Sequence, residues 1–213
     1  VKQDFERVDV PHETLQRARV IFNENEKGLE TYLDLLLDWN EKINLVSRAV
    51  SRETVREHIV HSLLPMAIGL TQKHTRWVDS GTGGGLPGIP LAICKSGDSQ
   101  WWLNDNRKSK MKAVSDIVET LKLKNAQVLP KSISLVDFKK GTGIVTKHAF
   151  KVDDLLRLLG SKPWKTIVMW KGVEGAEKEL RQSKKKLNAT LYSFQFGKEE
   201  EFYEGKGLLV IER

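Results

Sequence analysis

The sequence predicts an α/β fold in which a doubly wound, seven-stranded mixed sheet follows an N-terminal helical extension. Three observations predict it. Apolar residues recur at three- and four-residue spacing up to about residue 70, short apolar runs alternate with longer amphipathic stretches from residue 76 onward, and a glycine-rich turn directly follows the first of those runs.

In the first part, Leu29, Leu33, Leu36, Leu37 and Asn40 keep helical spacing, as do Ile59, Leu63 and Leu64, with charges between them. Three or so amphipathic helices are expected there, which assigns residues 1–75 to the extension and 76–213 to the core. Strands are expected at Arg76 to Asp79, Gln100 to Asn104, Ala126 to Pro130, Gly143 to Lys147, Thr166 to Trp170, Leu191 to Phe196 and Gly207 to Glu212. Helical stretches separate the early ones, as crossovers between parallel strands require. The last two are too close for a crossover helix, so they should pair as an antiparallel hairpin at the end of the sheet.

The 213 residues suffice for one α/β domain with a modest extension, and 39% hydrophobic with 30% charged residues is globular usage. No apolar run approaches the roughly 20 residues that span a bilayer. Residues 1–10 hold no apolar signal core, so a cytoplasmic protein off the membrane is expected. The single cysteine, Cys94, precludes an intramolecular disulfide and fits a reducing compartment. The net charge of +7 comes from 35 Lys and Arg against 28 Asp and Glu. Clustering of Arg107, Lys108, Lys110 and Lys112, and of Lys184, Lys185 and Lys186, favours a polyanionic partner. A merely solubilising surface is the alternative.

The stretch from Val78 to Pro90, Val-Asp-Ser-Gly-Thr-Gly-Gly-Gly-Leu-Pro-Gly-Ile-Pro, carries the chemistry. It follows a strand and opens a helix, placing Gly81, Gly83 and Gly85 at the carboxyl edge of the sheet, where open α/β folds bind ligands. Pro87 and Pro90 suit the first helical turn, and the amides there should face the ligand. A dinucleotide loop needs a third glycine where Leu86 stands, and a phosphate loop needs a Gly-Lys-Ser or Gly-Lys-Thr that is absent. The Asp79-x-Gly81-x-Gly83-x-Gly85 spacing instead suits S-adenosyl-L-methionine, whose zwitterionic end can use amides and carbonyls together. Asp105, at the end of the second strand, is placed to accept from both ribose hydroxyls.

With these residues the chain resembles the RsmG (GidB) family of 16S rRNA guanine-N7 methyltransferases, Rossmann-like class I enzymes. The resemblance covers nearly the whole chain. It runs through Trp39-Asn40, Asn44-Leu45, His58, Ser62-Leu63, the Gly81 to Ile93 block, Asp105, Lys108, Lys110, Leu123-Lys124-Asn125, Ala149-Phe150, Lys171-Gly172 and Leu209-Val210-Ile211. The run Gly83 to Pro90 is the most distinctive part. The resemblance implies adenosylmethionine contacts at Gly81, Leu86, the backbone around Ile133 and Ser134, and position 148. It also implies a monomer that methylates a guanosine N7 in the decoding-region loop of 16S rRNA, free or in the small ribosomal subunit. Three places depart from the family pattern: Lys147-His148-Ala149-Phe150 replaces Ser-Arg-Ala-Phe, His61 replaces an aspartate, and glutamates are missing around Ser134.

Guanine N7 carries a free lone pair at neutral pH, so no catalytic side chain is expected and orientation should suffice. His58 and His61, three apart, lack a third ligand, and no metal is expected. His148 either replaces arginine's contacts or is a structural histidine. Asn40 and Asn44 either line the cleft or satisfy helix-end groups. The tryptophans read as core anchors, with Trp170 the best base-stacking candidate, and Lys184 to Lys186 read as a solvated face or a phosphate contact. Two rival functions remain, a small-molecule methyltransferase and a non-catalytic RNA-binding protein that keeps the fold. A narrow apolar pocket would favour the first, and an open basic cleft would favour RNA.

Overall fold

A computed structural model describes residues 4–95 and 99–213. Residues 1–3, part of the N-terminal stretch read above, lie outside the described residues. Three helices follow the first strand: α1 His12–Glu24, α2 Glu26–Lys42 and α3 Arg52–Ala67. Ser51 caps α3, its side chain accepting from the Thr54 amide at 3.1 Å.

Among the described residues the sheet has eight strands rather than seven. They are β1 Glu6–Pro11, β2 Arg76–Ser80, β3 Gln100–Asn104, β4 Ala126–Leu129, β5 Thr142–Lys147, β6 Trp164–Gly172, β7 Asn188–Gln195 and β8 Lys206–Glu212. Their order across the sheet is β1-β7-β8-β6-β5-β2-β3-β4. The strand missed from sequence, β1, lies at the edge and runs parallel to β7, with Val8 beside Tyr192 and Val10 beside Phe194. Its run Glu-Arg-Val-Asp-Val-Pro has only two apolar residues, and only Val10 is buried, because an edge strand needs little apolar surface. The expected hairpin is present: β8 pairs antiparallel with β7 and also with β6, slotting between them.

The other helices are α4 Gly88–Cys94, α5 Lys108–Thr120, α6 Val152–Leu159 and α7 Val173–Gln182. Because side chains alternate across a strand, one face of the sheet presents Trp77, Trp101, Leu103, Val145, Val168 and Trp170 to a core shared with α1 to α5. The opposite face presents Val78, Ile144, Ile167, Met169 and Ile211 to α6 and α7. Strands covered on both faces read as continuous apolar runs, which made them visible in the sequence. No described helix is long and apolar enough to cross a membrane.

Candidate active site

The carboxyl ends of β2, β3 and β5 open into a cavity of about 700 Å³. Its wall includes Gly81, Thr82, Gly83, Gly84, Leu86, Asp105, Arg107, Lys110, Lys131, Ile133, Lys147 and His148, with Leu45, Val46, Ser47 and His58 from the helical segment. Six of the eight site residues expected from sequence therefore meet there: Gly81, Gly83, Leu86, Asp105, Ile133 and His148. Gly85 and Ser134 are not among the residues that line it. A Cβ on Gly85 would fall on the Ile89 side chain and 3.3 Å from the Tyr32 hydroxyl, so this glycine packs the turn onto the protein behind it. Ser134 is exposed, and its hydroxyl bonds that of Ser132 at 2.9 Å.

The turn's amides are largely committed to the protein, contrary to the expectation that they face a ligand. Gly81 N and Thr82 N donate to the Asn104 carbonyl at 2.8 and 3.0 Å, and Gly85 N and Leu86 N donate to the Thr82 carbonyl at 2.8 and 3.1 Å. Gly88 N, at the start of α4, donates to Asp79 Oδ2 at 2.8 Å, and the Thr82 hydroxyl donates to the same oxygen at 2.6 Å. Asp79 is thus the turn's internal brace. Burial pushes its pKa up to about 7, although both of these hydrogen bonds act in the opposite direction.

What the turn offers to the cavity is space and shape. Gly83 sits at φ 58°, and a Cβ built on it meets nothing within 4 Å, so its bare backbone faces open volume. Gly81 has φ 73°, and a Cβ there would fall on that of Ala149, which lets the segment after β5 close against the turn. Asp105 bridges two loops, accepting from Gly83 N at 3.2 Å through Oδ2 and from Arg107 N at 2.9 Å through Oδ1. Each carboxylate oxygen keeps acceptor capacity toward the cavity.

Asn104 was not singled out from sequence. Besides its carbonyl's role, its Nδ2 donates to the carbonyls of Leu129 and Lys131 at 3.0 and 2.6 Å, tying the β2 turn to the segment that carries Ile133. A buried asparagine at a strand end was the available signal. Asn40 has the structural role of its two alternatives: Oδ1 accepts from Leu45 N and Val46 N, both at 2.9 Å, and shapes the loop that walls the cavity. Asn44 accepts from Arg48 Nε at 2.8 Å on the surface.

His148 also has positive φ, 57°. Although the residue keeps an exposed surface, partial desolvation of its ring, reinforced by the ammonium of Lys147, pushes its pKa down to about 4, so at neutral pH it does not reproduce an arginine's charge. His61 is fully buried, with its ring edge-on to Phe194, Phe202, Tyr203 and Trp170. Burial holds it neutral. Trp170 is not available for stacking on a base, because it is fully buried and its Nε1 donates to the His61 carbonyl at 2.9 Å. Among the described residues no cluster of three or more His, Cys, Asp or Glu side chains is arranged to hold a metal ion.

The two basic clusters lie at different places. Arg107 and Lys110, which follow β3, line the cavity, as does Lys131, which follows the adjacent β4. Lys184 to Lys186 lead into β7 at Asn188, which aligns with Glu212 and, through it, with Thr166 near the start of β6. They therefore lie at the amino edge of these strands, opposite the cavity.

The fold is also found in solved methyltransferase structures. It superposes on the METTL16 methyltransferase domain with a TM-score of 0.51 at 13% identity, covering 76% of this chain and 69% of that one. The family model GidB, rRNA small subunit methyltransferase G, matches residues 25–201, and the chain belongs to that family. A Chlorobium limicola protein described as ribosomal RNA small subunit methyltransferase G is 30% identical over the full length of both chains. One of the same description from Flavobacterium johnsoniae is 35% identical over 84% of this chain and 87% of its own.

Proposed function

We propose that this protein transfers a methyl group from S-adenosyl-L-methionine to N7 of a guanosine in the decoding-region loop of 16S rRNA. The observation that carries this reading is the joint placement of the open Gly83 backbone, the Asp105 carboxylate and basic side chains on one cavity. Asp105 would accept from the ribose hydroxyls, Leu86 and Ile133 would supply apolar wall for the adenine, and Gly83 would admit the ligand against the backbone. The cofactor supplies an electrophilic methyl group on a sulfonium. The protein's part is positional: it seats the guanine with N7 in line with that methyl and excludes water. Because guanine N7 carries a free lone pair at neutral pH, no residue of the cavity would need to remove a proton from the base.

Asp105→Ala is expected to weaken adenosylmethionine binding by about 1.5–3 kcal/mol, the range for a hydrogen bond to a charged group. Calorimetry checks this, and a loss of RNA affinity with unchanged cofactor affinity would place the acid on the wrong ligand. An RNA substrate rather than a small molecule is favoured by the basic lining, since Arg107, Lys110 and Lys131 all face the cavity from the ends of β3 and β4.

The direct test incubates the protein and methyl-labelled adenosylmethionine with 16S rRNA and, separately, with small ribosomal subunits lacking the modification. Label at one N7-methylguanosine, located by strand scission at that base, is expected. Absence of transfer to either substrate, or transfer to a different atom, would overturn the reading.

A further inference from the structure

Among the described residues Lys147 is the one ammonium buried in the cavity wall, and positioning of the base and ribose leaves it unused. It ends β5 with 9% of its surface exposed. Its Nζ donates to the His58 carbonyl at 2.8 Å and to the Ser62 hydroxyl at 3.3 Å. An ammonium has three N–H donors, so one has no protein partner among the described residues. Nor does Lys147 form an ion pair among them. Asp79, the carboxyl that acts on it electrostatically, holds Thr82 and Gly88 through Oδ2 and leaves Oδ1 buried without a hydrogen-bond partner, yet forms no ion pair with Lys147, while Lys206 repels it. His58, His61 and His148 are all held neutral around it. A buried cation without an anion is costly, and burial has already pushed this lysine's pKa down to about 7.

We propose that Lys147 binds the carboxylate of the methionine end of adenosylmethionine, one residue away from the position where the family resemblance puts a cation. The inference rests on the cofactor assignment made above. Three features select this ligand. Lys147 lines the same cavity as the glycine turn, one of its donors has no hydrogen-bond partner and no carboxylate within ion-pair distance among the described residues, and the neighbouring His148 carries no charge at neutral pH. An RNA phosphate is the poorer fit, because a side chain this deeply set is reached by the terminus of a small ligand before a polymer backbone.

The test uses the whole chain and two ligands, adenosylmethionine and its decarboxylated form, which keeps the adenosine, sulfonium and amine but has no carboxylate. Calorimetry is carried out on the unmodified protein, on Lys147→Met and on Lys147→Arg. The methionine variant should fold, since the His58 carbonyl keeps its 2.8 Å bond from the Ser62 hydroxyl. Lys147→Met is expected to lose about 10- to 100-fold in affinity for adenosylmethionine, the range for one charged hydrogen bond. It should bind the decarboxylated ligand within about twofold of the unmodified protein, and Lys147→Arg should recover much of the loss. Equal weakening for both ligands, or none for either, would overturn the assignment. So would a variant that loses only RNA affinity. Equal affinity of the unmodified protein for the two ligands overturns it without reference to any variant. Failure of the unmodified protein to bind adenosylmethionine at all is a separate result, which removes the cofactor reading beneath it.

Discussion

Gly83→Val is expected to lower adenosylmethionine affinity on the order of 100-fold or more, the equivalent of losing two or three hydrogen-bond-sized contacts. The branched side chain would project into the volume where a Cβ on Gly83 meets nothing within 4 Å, displacing the ligand rather than the protein. Valine at φ 58° also carries about 1–3 kcal/mol of backbone strain. Gly83→Ala shares much of that strain with far less bulk, so comparing the two separates strain from blockage. Titration calorimetry and thermal melting of both variants are the measurements. Unchanged affinity in the valine variant would show that the ligand does not meet the backbone here.

The second large effect concerns RNA. Reversing Arg107, Lys110 and Lys131 to Glu is expected to abolish most RNA affinity at low salt. If all three contact phosphates, it should also reduce the slope of log affinity against log salt by about 3. The same triple reversal at Lys184, Lys185 and Lys186 should change RNA affinity by no more than about threefold, because that cluster lies at the opposite edge of the sheet. Adenosylmethionine affinity should hardly move with salt. Salt-insensitive RNA binding would favour the small-molecule reading, and a large loss from the Lys184 to Lys186 reversal would put RNA on a different face.

Much of the sheet was legible because strands covered on both sides must be apolar along their whole length. Trp77-Val78 and Ile167-Val168 each send neighbouring side chains to opposite cores. β1 escaped because an edge strand carrying Glu6, Arg7 and Asp9 lacks that signature. Within the site, spacing identified the turn but not the direction of each atom: Gly81 and Gly83 face the cavity segment while Gly85 packs on Ile89. The amides were misjudged for the same reason, since a sequence does not show that the Asn104 carbonyl and the Asp79 carboxyl occupy them. Lys147 was noticed only as part of a departure from the family pattern. Its significance comes from distant neighbours, His58 and Ser62, which no local spacing connects to it.

The glycine turn also touches the helical segment from behind. The Tyr32 hydroxyl on α2 donates to the Gly84 carbonyl at 3.0 Å, and a Cβ at Gly84 would meet Leu36 at 2.7 Å and Leu45 at 3.1 Å. With the cofactor seated on the turn as proposed, its affinity is expected to report how firmly α2 is seated, and a cavity opened at Leu36 should register as weaker ligand binding although Leu36 does not line the cavity. Thermodynamic reciprocity makes the coupling two-way: a ligand that steadies the turn stiffens the helix by the same free energy, so a loaded enzyme should resist unfolding from its N-terminal half as well as from its sheet.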